Sequence, residues 1–313
     1  RFKYYVVGCA FILSILVGCR APDQGRASFD VKTHDGEPVP WTHLNAQNDP
    51  DDFQFVLVGD RTGGLRKGVF SNAMERINLM QPEFVASVGD LIPANRDHVD
   101  PALLDDMWNE FDACVHNLDA PFFYVAGNHD CYNPVQSDKW AERLGPMFYD
   151  FVYKDVQFIV LNSQFILNYG GHWPEKHAEQ VAFVKEALER EADSRWTVVL
   201  LHHPVWNYND GDHLPKALRG KNARWEEVER LLEGRKYTVF AGHVHKYTRT
   251  ERGDSTYYTL ATTGGGSKLR GADYGEYDHF FWVTMTDDGP IIANLMLDGV
   301  LDPDNVPSYG TSK

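Results

Sequence analysis

The chain has 313 residues, of which 43% are hydrophobic and 24% are charged. That composition is typical of one large folded domain or two small ones, and it excludes a disordered chain. The 45 acidic and 30 basic residues give a net charge of −15, so the surface repels phosphate backbones, which argues against a long nucleic acid as partner.

The first residues have the pattern of an export signal. Arg1 and Lys3 precede an apolar run from Tyr4 to Val17, and about 14 residues are too few to span a bilayer comfortably. The run ends in Leu16-Val17-Gly18-Cys19, which resembles a bacterial lipobox. It predicts a lipoprotein signal peptide at residues 1–19 and membrane attachment through a lipidated Cys19. The protein would then be exported to the bacterial cell envelope, on the periplasmic side of the outer membrane. A plain secretory signal and a retained membrane anchor are the alternatives.

Residues 20–50 are polar and contain proline, which predicts a tether between the lipid and the folded domain. Two of the four cysteines, Cys114 and Cys131, lie beyond the export segment. They form either one disulfide or two buried free thiols, because spacing alone does not decide between these arrangements.

From residue 53 the chain alternates between strand and helix patterns. Apolar runs at Phe53–Val58 and Phe84–Val88 flank a helical pattern at Lys67–Met80, which together make a βαβ unit. Further helices are predicted at Pro101–Val115, Glu175–Glu191 and Arg224–Glu233, and further strands at Phe122–Val125, Met147–Tyr153, Gln157–Leu161, Thr197–Leu201, Tyr237–Phe240, Ser255–Thr262, His279–Thr286 and Ile291–Leu297. The pattern predicts a layered α/β domain at residues 51–300, with helices outside two packed sheets, followed by a tail at residues 301–313.

Five of these apolar strands end in short polar clusters. The clusters are Gly59-Asp60-Arg61-Thr62, Gly89-Asp90, Gly127-Asn128-His129-Asp130, His202-His203-Pro204 and Gly242-His243-Val244-His245. The carboxyl ends of strands in an α/β sheet form one crevice, so the clusters are expected to meet there. A single Gly-Asp after a strand is usually only a turn, but five strand ends with metal-ligating side chains predict a metal site.

The donor types indicate which metals the site would bind. Carboxylate and amide oxygens with neutral imidazole suit Mn, Zn or Fe, and the clusters contain no cysteine, which argues against a structural zinc site. Two divalent ions, the Asp60 and Asp90 carboxylates and one hydroxide sum to a charge of +1. Such a site attracts an anionic ester in spite of the acidic surface.

The clusters resemble the motifs of the calcineurin-like metallophosphoesterases, which are D-x-H, G-D, G-N-H-[DE], a lone His and G-H-x-H. The resemblance spans roughly residues 53–286 and implies a four-layer α/β sandwich of two mixed β-sheets flanked by helices. It implies that Asp60, Asp90 and His245 hold one metal ion. The second ion would be held by Asp90, which bridges the pair, together with Asn128, His202 and His243.

The resemblance also implies a reaction. A metal-bound hydroxide would attack phosphorus in line with the leaving oxygen of a small phosphate-ester substrate. His129 would contact the phosphate and protonate the leaving group, and Asp130 would orient the His129 ring. Arg61 either clamps a phosphate oxygen or is an ordinary surface arginine.

One position departs from the family pattern. Thr62 stands where the first motif carries a histidine, so the first metal is expected to bind more loosely or to take a water instead. His98 is a conceivable substitute from the loop after Asp90. The absence of tyrosine in Leu91-Ile92-Pro93 argues against a ferric–tyrosinate site.

The leading hypothesis is therefore a metallophosphoesterase. One alternative, supported by Thr62 alone, is a surface-anchored protein that binds phosphate esters at a degenerate metal site. A hydrolase of carboxylic esters or lactones is weaker, since the chain lacks a GxSxG nucleophile elbow. The sequence decides neither the ester class nor the oligomeric state.

Overall fold

The computed structural model describes residue 29 and residues 42–168, 171–207 and 222–299. The predicted signal peptide with Cys19 and the predicted tail at 301–313 lie outside these ranges. Residues up to Pro50 and residues from Asp51 onward belong to two separate compact units, and the description below concerns the second. Within the described ranges, no helix combines the length and hydrophobicity needed to cross a membrane.

The first sheet has five strands and contains the amino-terminal βαβ unit. Its strands are β1 (Phe53–Val58), β2 (Phe84–Ser87), β3 (Phe122–Phe123), β10 (His279–Thr286) and β11 (Gly289–Met296), in the order β11-β10-β1-β2-β3. Strands β1, β2 and β3 run parallel, whereas β10 pairs antiparallel with both β1 and β11. The three parallel strands therefore end at the same edge of the sheet.

The second sheet has six strands. They are β4 (Tyr149–Tyr153), β5 (Val156–Val160), β6 (Trp196–Leu200), β7 (Tyr237–Ala241), β8 (Thr248–Arg252) and β9 (Ser255–Thr259), in the order β4-β5-β6-β7-β9-β8. The four inner strands are parallel, and the edge strands β4 and β8 are antiparallel to their neighbours.

Helices cover the outer face of each sheet. Helices α1 (Val69–Met80), α2 (Pro101–Val115) and α3 (Pro134–Leu144) pack on the first sheet, and α4 (Ser163–Leu167), α5 (Lys176–Arg190) and α6 (Asn222–Leu232) pack on the second. Local sequence sets several helix starts. Asp100 and Asn133 cap α2 and α3 through their side chains, and each cap precedes a proline.

The two sheets pack face to face through an aromatic layer. In β1, Phe53, Phe55 and Leu57 enter this layer, while Val56 and Val58 face the helices. This alternation follows from the two-residue period of a strand. The Phe55 ring of β1 contacts the Phe158 ring of β5 edge to face at a centroid distance of 5.3 Å, so the sheets meet through close aromatic contacts.

The predicted four-layer α/β sandwich with two mixed sheets is confirmed. Strand β3 is shorter than predicted, because the Val125 amide donates to the side chain of Ser87 instead of to a strand carbonyl. Strand β8 was not predicted because its sequence, TRTER, lacks apolar residues. Helices α3 and α4 were also not predicted. Cys114 and Cys131 are both free thiols, as in the second alternative, although only Cys131 is buried and Cys114 is partly exposed.

His279 in β10 provides a test of the core by pH. The ring is fully buried, its Nε2 accepts from the Ala261 amide at 2.8 Å, and its Nδ1 bonds Asn294 Oδ1 at 2.6 Å. Burial lowers the pKa of His279 to about 4. Between pH 6.5 and 4, His279 binds a proton in the unfolded chain but not in the folded chain. The contribution of His279 to stability is therefore present above pH 6.5 and is lost between pH 6.5 and 4.

We expect His279→Gln to reduce the loss of unfolding free energy between pH 7 and pH 5 by about 2 kcal/mol relative to the unchanged chain. Urea unfolding at the two pH values measures this difference. Equal losses in both proteins would show that His279 is not held neutral.

Candidate metal centre

All five polar clusters predicted at strand ends meet at one edge of the sandwich. The first sheet contributes Asp60 after β1, Asp90 after β2 and Asn128 after β3. The second contributes His202 after β6, with His243 and His245 after β7. Parallel strands in both sheets point the same way at this edge, which is why residues distant in sequence converge.

Asp60, Asp90 and His245 form the first group of potential ligands. One ligand atom from each lies within 4.8 Å of the others, and both carboxylates are almost completely buried. The His245 Nδ1 bonds the carbonyl of Gly266 at 2.5 Å, so its Nε2 faces Asp60 Oδ1 at 3.5 Å. The three residues are those expected to hold the first metal.

His202 is the centre of the second group. Its Nδ1 donates to the carbonyl of Val88 at 2.8 Å, which leaves Nε2 unprotonated in the neutral ring. Around Nε2 lie Asn128 Oδ1 at 3.1 Å, Asp90 Oδ2 at 3.2 Å and His243 Nδ1 at 3.3 Å. A buried lone pair that faces an amide oxygen, a carboxylate and a second imidazole requires a cation, so these donors fit a metal ion.

The electrostatics of His202 agree with this geometry. Burial disfavours its charged form, but the Asp90 and Asp60 carboxylates outweigh burial and raise the pKa of His202 to about 9. Burial and the charge of His202 lower the pKa of His243 to about 3. The site therefore stabilises one positive charge strongly even without a metal, while the second imidazole stays neutral and available as a ligand.

His203 also belongs to the cluster. One of its ring nitrogens lies within 4.8 Å of nitrogens of His202 and His243, and its ring centroid is 4.1 Å from that of His243. Its Nδ1 bonds the Ser163 hydroxyl at 2.7 Å. The sequence offered no signal for Ser163, since a lone serine after a strand has no distinctive pattern.

Three of the candidate ligands have left-handed backbone. The φ angles are 59° for Asp90, 73° for His243 and 52° for His245. Such angles are unfavourable for residues other than glycine and often mark functional sites. His243 and His245 are thus not in extended backbone, and they point into different groups, His243 toward His202 and His245 toward Asp60.

Two glycines are required because carboxylates come close to their backbone. A Cβ on Gly127 would lie 2.3 Å from Asp90 Oδ1, and a Cβ on Gly242 would lie 2.4 Å from Asp60 Oδ2. The backbone also comes close to the site at residues 264–266, since the Gly265 amide donates to the Asp60 carbonyl at 2.9 Å.

Asp130 does not orient the His129 ring, so that prediction is wrong. Its carboxylate accepts four backbone N–H groups, from Asp90, Leu91, Ile92 and Gly127, at 2.8–3.0 Å. Both oxygens are thereby engaged with the backbone. Asp130 fixes the two loops that carry Asp90 and Asn128.

The His129 ring is held by the main chain instead. Its Nδ1 bonds the carbonyl of Ala94, and its Nε2 lies 4.0 Å from Asp90 Oδ2. The side chain is 25% exposed, so the ring is partly open to solvent beside the candidate ligands. A backbone carbonyl leaves no sequence signal, which is why Ala94 was not predicted.

Arg61 fits neither predicted alternative, because it is buried and binds protein groups. Its Nη1 donates to the Leu91 carbonyl at 2.8 Å and its Nη2 pairs with Glu110 Oε1 at 2.8 Å. Its guanidinium also lies over the ring of Phe111. The side chain points toward helix α2, which rules out the surface position.

The remaining candidates lie as follows. Thr62 is buried beside the first group, and its amide donates to the Asp90 carbonyl at 3.2 Å. His98 Nδ1 accepts from the amide of Asn95 in an exposed loop, so it does not replace the missing histidine.

Comparison with known proteins agrees with this geometry. The profile of the calcineurin-like phosphoesterase family matches residues 42–247, so the chain belongs to that family. The resemblance inferred from the motifs is confirmed.

Several curated relatives are phosphatases. A phosphoenolpyruvate phosphatase of Allium cepa is 25% identical over 245 residues, which cover 71% of this chain and 47% of that protein. The Fe(3+)-Zn(2+) purple acid phosphatase 12 of Arabidopsis thaliana is 24% identical over 244 residues, which cover 70% of this chain and 48% of that protein. The chain thus spans about half the length of these relatives.

Solved structures share the fold. GAP50, the anchor in the inner membrane complex of Plasmodium, has a TM-score of 0.59 at 15% identity and covers 80% of this chain and 86% of its own. Purple acid phosphatase PPD1 from yellow lupin seeds has a TM-score of 0.55 at 15% identity, with 80% of this chain and 52% of its own covered. At this identity the likeness concerns the fold alone.

We expect Asn128→Ala to weaken metal binding, because it removes an oxygen 3.1 Å from His202 Nε2. Metal content after dialysis, measured by inductively coupled plasma mass spectrometry, should fall below that of the unchanged protein. Asn109→Ala on the exterior of α2 is the control. Equal stoichiometry in all three proteins would remove Asn128 from the ligand set.

Asp130→Asn should destabilise the fold by about 2–4 kcal/mol, because an amide accepts through one oxygen only and leaves buried N–H groups unpaired. Urea denaturation measures the change, with the exposed Asp138→Asn as control. A loss below that of the control would contradict the role of Asp130 as an acceptor for both loops.

Proposed function

We propose that the chain hydrolyses small phosphate esters with a dinuclear centre of divalent Mn, Zn or Fe. The observation that carries the proposal is the position of the buried His202 Nε2, around which three electron-rich atoms lie at 3.1–3.3 Å. Asp90 lies in this arrangement and also in the group with Asp60 and His245, so two ions would share its carboxylate.

Bound ions would supply the positive charge that attracts the ester and the acidified water that attacks phosphorus. The chain itself holds the ligands and donates a proton. His129 Nδ1 donates to the carbonyl of Ala94, so Nε2 is the nitrogen left for proton exchange with the substrate, and it donates a proton from the charged imidazolium form. The partial exposure of the ring and the 4.0 Å distance from Nε2 to Asp90 Oδ2 support the role of His129 as general acid for the leaving oxygen.

Thr62 does not favour the degenerate binding protein over an enzyme. The first group contains two carboxylates and one imidazole within 4.8 Å of one another, so it does not need a ligand from Thr62. Three protein ligands with an open position are typical of catalytic metal sites. The names of the relatives, which include phosphatases, support a phosphate ester as substrate.

The export signal predicted from Arg1 to Cys19 supports a location outside the cytoplasm for this activity. We extend the proposal accordingly to a lipid-anchored enzyme of the cell envelope, attached through Cys19. Metabolic labelling with an alkyne fatty acid, compared between the unchanged chain and Cys19→Ser, tests the anchor.

The activity is tested by stripping the protein of metal and reloading it with Mn, Zn or Fe. Two ions per chain and metal-dependent hydrolysis of p-nitrophenyl phosphate or bis-p-nitrophenyl phosphate are expected. The preferred ester separates phosphomonoesterase from phosphodiesterase activity. If the protein binds phosphate esters but hydrolyses none of them with any of these metals, the alternative of a phosphate-ester-binding protein is supported instead.

His129→Gln should lower kcat by about 10²–10⁴-fold for an ester with a poor leaving group, while bound metal stays at two ions. The loss should be smaller for p-nitrophenyl phosphate, whose leaving group needs little protonation. An equal loss for both esters would contradict a general-acid role.

A further inference from the structure

The loop that carries Asp90 is held by two groups of opposite charge. Asp130 accepts the N–H groups of Asp90, Leu91 and Ile92, as described above. The carbonyl groups of the same segment are bound from the other side by Arg61. The main-chain amide of Arg61 donates to the Asp90 carbonyl at 3.1 Å. The Arg61 guanidinium donates from Nη1 to the Leu91 carbonyl at 2.8 Å.

This arrangement matters because Asp90 is in a strained conformation. Its φ of 59° costs of order 1–3 kcal/mol for a residue with a Cβ, so the surrounding contacts must outweigh that cost. An isolated Asp90 loop would relax toward negative φ. Relaxation would rotate the carboxylate away from at least one of the two groups of ligands.

Burial of the guanidinium also needs a reason. Arg61 is 2% exposed, and its only described carboxylate partner, Glu110, has a half-exposed side chain. Burial of a charge with such a partner costs free energy that other hydrogen bonds must offset. The hydrogen bond to the carbonyl of Leu91, next to Asp90, contributes to that compensation.

We propose that Arg61 is a positioning residue, which holds Asp90 in the left-handed conformation that lets one carboxylate serve both metal ions. The inference rests on the proposed dinuclear function. The guanidinium contacts the backbone beside the bridging ligand, and it acts on the metals through Asp90.

The test measures whether the ions share a ligand. Two Mn²⁺ ions bridged by a carboxylate are spin-coupled, and their EPR spectrum differs from that of isolated Mn²⁺. We expect a coupled spectrum from the unchanged protein. Arg61→Met should bind the second Mn²⁺ about 10–100-fold more weakly and lose the coupled signal.

Arg235→Met is the matched control, because the Arg235 side chain likewise donates to backbone carbonyls, those of Leu188 and Glu191, but beyond the far end of the second sheet. It should retain the coupled spectrum. Arg61→Lys keeps the charge but replaces the fork with a single ammonium, which serves if Arg61→Met fails to fold. It should also weaken the second Mn²⁺.

A coupled spectrum and unchanged Mn²⁺ affinity in a folded Arg61 variant would overturn the inference. Loss of coupling in Arg235→Met as well would also overturn it, since the effect would then reflect general destabilisation. If the unchanged protein binds no Mn²⁺ pair, the dinuclear proposal itself fails, and this outcome is recognised before any variant is measured.

Discussion

Two buried carboxylates at one edge of the sandwich determine most of the local structure. Asp60 and Asp90 are removed from water and lie in the same group of potential ligands, so their charges repel at short range. Imidazoles gather around them because only a cation balances such a pair in a dry site. Burial acts to raise the pKa of Asp90, but the charge of His202 outweighs burial and lowers it, so the carboxylate is stabilised by a neighbouring cation.

The backbone around the carboxylates is arranged to hold them rather than to satisfy local preference. Asp90, His243 and His245 have left-handed backbone, and two glycines admit carboxylate oxygens at distances that no side chain permits. Backbone groups take part throughout. The carbonyls of Val88, Ala94 and Gly266 fix the rings of His202, His129 and His245. Each ring thereby presents one defined nitrogen to the centre.

The sequence predicted the layers and the meeting of strand ends because both depend on patterns of side chains. Apolar strands followed by Asp, Asn or His are visible in a single chain. The features that could not be predicted depend on hydrogen bonds to the backbone and on the direction in which a side chain points. Neither the burial of Arg61 nor the binding of four backbone amides by Asp130 has a sequence signature. In both cases the partners are backbone groups, which occur throughout the chain. The charged strand β8 was missed for another reason, since its edge position makes apolar residues unnecessary.

Each group of candidate ligands draws on both sheets. His245 of the first group follows β7, whereas Asp60 and Asp90 follow strands of the other sheet; in the second, His202 and His243 face Asn128 and Asp90. The relative position of the sheets is set by the aromatic layer between them, far from the ligands. Metal affinity and inter-sheet packing are therefore thermodynamically linked. A substitution such as Phe55→Leu, which removes ring contacts between the two sheets, would change how tightly ions bind without touching a ligand.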